Sequence, residues 1–533
     1  MCQAKAMPSR KVMSRTRRIS REGLRIAGLH TLLFSLCLNT TAPARGQSGQ
    51  KVVFPRPFAV VVDDLGWLHG GSQDPSNGPY RVGFKRDFVA QDYLPMIEIG
   101  KAVGVRIQGV FVLCELDREN AVARLPTATR DGKTWNNAAN VSPNQIDIME
   151  TIKTHAAHLE FGLHGVGHEF WENGQRRRAE WYNLQDKRPW SEAEIRAHLD
   201  MFRTIMSQYG LTKEKGYSFP ESFVATAYSY FWNPSGKPYS LGKIMREYGV
   251  KFVNTEFSAI PELHPPACGS GGFDNGVLVL DRHNFGNEWW EPASLPRQPI
   301  AAFNTDIIEA HWANLLATDD IFQADLNQRW IKLLQNVQAT RDRYLAKNTE
   351  QLYSQWLYKR HCKVTESKPG HVTLDNRLMP QEAYDSGMVG PLVLKIKLSK
   401  GAHLAKALLN DQPIPSFQEV QGFAHIYLPA LPRSVSNLSY ELGEHFPESV
   451  ILNTGTYNVY SRKAEGDSVA FRIRMYGEQE LIVTTQREPK TVVCSNPQLA
   501  VISVQHQKEA GRTLITLKAQ DIQGETGDLT LGY

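Results

Sequence analysis

The sequence predicts an α/β protein: a (β/α) barrel or near-closed sheet of about seven parallel strands, followed by an all-β, sandwich-like C-terminal region. Two observations predict it. Between residues 50 and 345, seven short apolar runs alternate with longer helical or irregular segments, and short buried strands separated by helices pair in parallel. Beyond residue 365 the runs alternate apolar with polar side chains between Gly, Pro, Asn and Asp, the pattern of antiparallel strands with one face in a core. At 533 residues the chain exceeds what one core usually fills. The expected division is a leader over 1–46, a barrel over 50–345, a helical linker over 346–365 and a β-rich domain over 366–533.

The leader comes first. Nine Lys or Arg face one acid, Glu22, an apolar run of thirteen residues extends from Ile26 to Leu38, and Ala42-Pro43-Ala44 offers a small-residue cleavage pattern. That order is the layout of a secretory signal peptide, and the apolar run is too short to span a bilayer comfortably. The mature chain is therefore expected to be secreted or periplasmic, with no membrane attachment after cleavage.

The strand candidates follow: FAVVV (58–62), VRIQGVFVL (105–113), LEFGL (159–163), GYSF (216–219), KFVNT (251–255), GVLVL (276–280) and DIIEA (306–310). Helical patterns over 142–158, 191–210 and 240–249 lie between them. The second opens with Ser191 and Glu194 spaced as a capping box and closes at Gly210. His155 and His158 fall at the end of the first, where a cation favours the helix dipole, a structural placement. A long helical stretch from about Asp320 to Lys359 ends this half. PLVLKIKLS (391–399), FAHIYLP (423–429), VAFRIRMY (469–476), ELIVTTQ (480–486) and RTLITLKA (512–519) read as the antiparallel strands of the other.

Charge and cysteines exclude some functions. The chain holds 60 Lys and Arg against 55 Asp and Glu, but nine of those bases and one acid lie in the leader, leaving 51 bases and 54 acids. The mature protein is not basic, so composition gives no case for nucleic-acid binding. Cys2 and Cys37 leave with the leader. Cys114, Cys268, Cys362 and Cys494 lack C-x-x-C spacing, which argues against a zinc–thiolate site, while an oxidising compartment permits disulfides.

Chemistry concentrates at strand ends, where sites of parallel α/β folds collect. VVVDDLGW (60–67) puts Asp63 and Asp64 directly after an apolar strand. Burial there disfavours ionised carboxylates unless something compensates them. A metal would do so, and a helix N-cap is the plain alternative. LEFGLHGVGHEFW (159–171) ends another strand with His164 and His168. Two glycines between them argue against a helix interior and for a bending turn. Unrelated loop histidines are the plain reading of that pair alone. Together, the two pairs offer one carboxylate and two imidazoles at one rim, with coordination positions left for water and substrate, the arrangement of a catalytic metal site.

VVVDDLG and HGVGH resemble the first two motifs of the NodB-like polysaccharide deacetylases, carbohydrate esterase family 4, and DIIEAHW (306–312) resembles that family's last motif. The resemblance covers roughly residues 55 to 320. It implies a distorted barrel of seven or eight parallel strands, with Asp63 as catalytic base, Asp64, His164 and His168 as metal ligands, and His311 as general acid. It also implies a divalent cofactor, zinc by default, and a polysaccharide substrate losing N-acetyl or O-acetyl groups. The family's third motif carries an arginine that orients the base, where this chain has Phe219-Pro220-Glu221-Ser222. The fourth motif, an Asp-Trp pair, has no equivalent near KFVNTEF. Arg282 is a candidate for the missing cation, or else an ordinary surface partner of Asp281; Glu221 and Trp171 are further candidates to orient the base or bind substrate. Two other functions stay open: a metal-independent glycosidase using Glu169, Glu172 or Glu221 beside Asp63, and a glycan-binding protein on an inactive scaffold.

Overall fold

The computed structural model describes residues 52–71, 81, 83–137, 141–233, 235–266, 272–284, 290–296, 303 and 305–533. The expected signal peptide and Cys268 lie outside them. From Val52 to the C-terminus the described chain forms one compact unit.

Its first half is a curled parallel sheet. The strands are β1 (Arg56–Leu65), β2 (Ile107–Val112), β3 (Leu159–Gly165), β4 (Ser222–Phe223), β5 (Phe252–Thr255), β6 (Val277–Asp281) and β7 (Ile307–His311). They lie side by side in the order β6-β5-β4-β3-β2-β1-β7, all parallel. Two residues past β6, His283 and Asn284 pair with Ile308 and Glu309 of β7. An eighth strand, β8 (Arg343–Leu345), adds to the start of β1. The register sets Asp63 beside His311, so both chemistry-bearing strands end at one level.

Period-two alternation decides what each strand face packs against. Val60, Val62, Ile308 and Ala310 join the core beneath α1 (Leu94–Val103), α2 (Pro143–Thr154), α3 (Glu192–Gln208) and α4 (Leu241–Tyr248). Val61, Val110, Phe252, Leu280 and Ile307, on the other face, join a second core. Ser191 and Glu194 form the expected reciprocal cap, Glu194 N–H donating to Ser191 Oγ at 3.3 Å and Ser191 N–H to Glu194 Oε2 at 2.8 Å.

The structure departs from sequence expectation in three places. GYSF is not the fourth strand. Gly216, at φ 82°, ends a 3₁₀ turn over Lys213–Lys215, and Phe219 packs against Phe202 and Tyr248 outside the sheet. The strand begins three residues after that run, past Pro220, which moves Glu221 from the expected carboxyl rim to the opposite one. Second, the long helix over 320–359 is two, α5 (Gln323–Ala339) and α6 (Thr349–His361), with β8 between them.

Third, α6 is core rather than linker. Leu352, Tyr353, Leu357 and Tyr358 pack in the cluster that holds the second face of the parallel sheet together with Leu394, Ile426 and Phe417 of the C-terminal half. Its polar residues hid this. Gln351, Ser354 and Gln355 are buried as well. Gln355 exchanges hydrogen bonds with the Val393 backbone and donates to the Pro55 carbonyl, and Ser354 Oγ accepts from the Gly390 N–H and donates to the Pro391 carbonyl.

Residues beyond 362 form sheets that are antiparallel except where Ser416 and Phe417 pair in parallel with Ile451 and Leu452. One of eight strands runs from Val52–Val53 through Leu392–Lys397 to Leu499–Gln507, and others of five and four strands pack beside it. Cys114, Cys362 and Cys494 are free thiols. Among the described residues no helix is long and apolar enough to cross a membrane.

Candidate metal centre and catalytic pocket

The carboxyl ends of β1, β3 and β7, with Arg282 just past β6, open on a small pocket. Asp63, Asp64, His164, His168, Arg178, Tyr228, Arg282 and His311 line it. All but Arg178 and Tyr228 are buried.

Asp64 is where β1 leaves its pleat. The pairing of β1 with β2 shifts register between Val62 and Leu65, and Asp64 takes the left-handed conformation at φ 69°. A non-glycine residue there costs about 1–3 kcal/mol. The bulge lets two consecutive side chains serve one pocket, which a regular strand forbids. Gly66 completes the bend at φ 98°; a Cβ there would stand 2.1 Å from the Val112 carbonyl oxygen.

The HGVGH turn has its own support. The Glu180 carboxylate accepts the backbone N–H groups of Val166, Gly167 and His168 at 2.8, 3.1 and 2.8 Å. His198 Nδ1 lies 2.7 Å from the same carboxylate. Both glycines are required by contact: a Cβ on Gly165 would meet Glu180 Oε2 at 2.1 Å, and one on Gly167 the Ala128 carbonyl oxygen at 1.7 Å. His168 too is left-handed, at φ 66°. His164 Nδ1 sits 2.8 Å from the Val224 carbonyl, which leaves Nε2 for the pocket.

These elements bring Asp64, His164 and His168 together, one ligand atom of each within 4.8 Å of the others. Asp64 Oδ1 lies 3.3 Å from His164 Nε2 and 3.6 Å from His168 Nε2. Both Asp64 oxygens are buried without a well-directed donor. A buried carboxylate left so costs free energy unless a cation completes it, and one carboxylate with two imidazoles is a donor set suited to zinc. The residues fit the ion. Burial by itself raises the Asp64 carboxyl, but His164, His311 and His168 outweigh it and hold Asp64 well below the usual carboxylate range. Burial likewise opposes charge on His164, yet Asp64, Asp63 and the Val224 carbonyl raise its pKa.

Asp63 has a different partner. Arg282 grips both its oxygens, Nη1 to Oδ1 at 2.9 Å and Nη2 to Oδ2. Arg282 is fully buried and also reaches Asn254 Oδ1 at 3.3 Å and Glu309 Oε2 at 3.2 Å. It is therefore no surface partner of Asp281. His311 Nε2 stands 3.8 Å from Asp64 Oδ2 and 3.4 Å from Glu309 Oε1, and Tyr228 OH donates to Glu309 Oε1 at 2.8 Å.

No family model and no curated protein sequence matches this chain. The site is thus argued from its own geometry.

That geometry gathers Asp63, Asp64, His164, His168, Arg282 and His311 and leaves out Glu221 and Trp171. Glu221 precedes β4 and pairs with Lys251 at 2.6 Å and Arg474 at 2.8 Å on the far rim. Trp171 is buried in a short hairpin, its backbone N–H donating to the Thr127 carbonyl at 2.8 Å. Glu169 and Glu172 do not line the pocket either, so a second glycosidase carboxylate is lacking among the residues expected to supply it. Sequence reasoning missed Glu309, Tyr228, Glu180 and Arg178. Glu309 was legible: it interrupts the apolar run of β7 two residues before His311, hence on the same face. Glu180 and Tyr228 sit in irregular segments with no periodicity to mark them.

Proposed function

We propose that this protein is a secreted, metal-dependent hydrolase that removes N-acetyl (or O-acetyl) groups from a polysaccharide. The observation that carries the reading is the division of labour within one pocket: Asp64, His164 and His168 converge on a point, while Asp63 beside them is held by Arg282. The continuation of β6 into the His283–Asn284 pairing with β7 supports closure of the parallel sheet as a distorted barrel. The core that Phe471 and Leu529 form with Leu481 and Ile515 between two C-terminal sheets supports a β-sandwich there.

Asp64, His164 and His168 would hold the ion. When bound, it supplies Lewis acidity toward the acyl carbonyl and acidifies water. Asp63, oriented by Arg282, takes the proton from the attacking water as its oxygen bonds to the acyl carbon. His311, across the pocket, gives a proton to the sugar nitrogen or oxygen as its bond to that carbon breaks, so acetate and the free amine or hydroxyl leave. Arg282 thus occupies, from β6, the role of the arginine absent after Phe219. Glu309, 3.2 Å from Arg282 and 3.4 Å from His311, would steady both groups. A net charge of −3 after residue 46, from 51 bases and 54 acids, accords with a glycan rather than a nucleic acid as partner.

Metal analysis of the purified protein, alongside acetate release from N-acetylated glycans, tests the reading. Stoichiometric zinc is expected, with loss of both metal and acetate release in His164→Ala and His168→Ala while circular dichroism stays native. Full metal occupancy in the double variant would overturn the site.

A further inference from the structure

Among the described residues, Arg178 is the one charged pocket residue whose charge nothing else accounts for. It is exposed and lines the pocket together with His168 and Tyr228. Asp63 is matched by Arg282, and Asp64 faces three imidazoles. Neighbouring Arg177 is paired with Glu172 at 2.5 Å. Arg178 has no carboxylate partner among the described residues.

Its backbone is nonetheless fixed to the metal turn. The next residue, Ala179, is fully buried, and its carbonyl accepts Trp190 Nε1 at 3.2 Å. The one after, Glu180, carries the carboxylate that binds the three amides of the HGVGH turn. The guanidinium therefore starts from a rigid position at the pocket mouth, and with a dication beside Asp64 the pocket presents a surplus of positive charge. An arginine held in this way recognises a carboxylate or sulfate by charge-assisted, two-pronged hydrogen bonds.

We infer that Arg178 binds an anionic group of the substrate, so that the acylated glycan is an acidic one. This deepens the deacetylase reading of the same pocket and rests on it only for the reaction. The anion is a uronic-acid carboxylate or a sulfate ester, the two acidic groups that glycans commonly carry.

The test uses the full chain and three acetylated oligosaccharides of equal length: one containing uronic acid, one sulfated, and a neutral N-acetylglucosamine oligomer. Acetate release gives kcat/KM for each, and calorimetry gives affinity for the corresponding unacetylated oligomers. The wild-type protein is expected to favour an acidic oligomer over the neutral one. Arg178→Ala should cut that preference roughly tenfold to a hundredfold, the range for one charge-assisted contact, mainly through KM, and Arg178→Lys should restore part of it. Whichever acidic oligomer loses most in Arg178→Ala identifies the anion. Equal preference for neutral and acidic oligomers, or a preference that survives Arg178→Ala, overturns the inference while acetate release still supports the deacetylase. Tight, Arg178-dependent binding of acidic oligomers without acetate release from any of them would instead sustain the inference and remove the reaction.

Discussion

Asp63 and Asp64 are chain neighbours with different partners, a guanidinium for one and three imidazoles for the other. Asp63→Asn should therefore keep zinc and lose turnover by roughly 10²–10⁴, the usual contribution of a positioned general base. Asp64→Asn should weaken zinc binding, because a neutral amide oxygen is the poorer ligand, and added zinc should restore part of its activity. Metal content and acetate release on both variants decide this, and normal turnover by metal-loaded Asp63→Asn would remove Asp63 as base. The same cluster predicts an opposite pH response with and without metal. The raised pKa of His164 means its contribution to stability is fully present below the ordinary imidazole value and is lost as pH rises through the raised one. The lowered pKa of Asp64 gives a contribution present above the ordinary carboxylate value and lost as pH falls through the lowered one. Metal-free protein should accordingly lose thermal stability as pH rises through the raised His164 value. Zinc affinity should rise over that range, since the ion binds the deprotonated imidazole. Melting curves across pH, with chelator and with zinc, check this; identical slopes in both would contradict it.

At the scale of elements, the site is a set of bends held by backbone contacts. The turn between His164 and His168 needs small residues because Glu180 and Ala128 occupy the space where side chains would be. Gly167→Ala drives a methyl into backbone, which cannot rotate away. It should lower stability by about 1–3 kcal/mol and displace His168, so zinc affinity falls as well. Gly174→Ala, in the nearby hairpin, has open space around its Cβ, and its φ of 75° confines any cost to backbone strain. It is the control: melting temperature and zinc titration should separate the two variants, and equal zinc affinity in both would refute the packing argument.

At the scale of the whole molecule, α6 and the C-terminal sheets are part of what holds the parallel sheet. Arg106 donates to Glu160 and to the Ile522 carbonyl, each at 2.8 Å; Arg474 reaches Glu221 and Glu350; Gln523 Nε2 donates to the Phe161 carbonyl at 2.8 Å. Ending the chain at Lys359 would take Arg474 away from Glu221 and Glu350, remove the Ile522 carbonyl from Arg106 and Gln523 from the Phe161 carbonyl, and expose the core around Tyr353 and Leu357. Breaking a single buried ion pair typically costs about 3–5 kcal/mol, a large share of the 5–15 kcal/mol that stabilises a domain. The shortened chain should be insoluble or unfolded. A soluble product that releases acetate would show that the parallel sheet stands without its β-rich partner.

Periodicity and strand-end chemistry made much of this legible before folding: six of the seven parallel strands lie where apolar runs predicted them, and Asp63, Asp64, His164, His168 and His311 stood at their ends. These are local signals, set by side-chain alternation and by the cost of polar groups next to apolar runs. Tertiary structure alone decided the rest. It moved the fourth strand past Pro220, and so carried Glu221 to the opposite rim. It buried Arg282 against Asp63, a pairing across 219 residues that no local pattern encodes. It turned a polar helix, Thr349–His361, into core, because its Gln and Ser side chains find backbone partners from distant strands. Burial and pairing depend on which distant segments meet, and that is settled only when the whole chain packs.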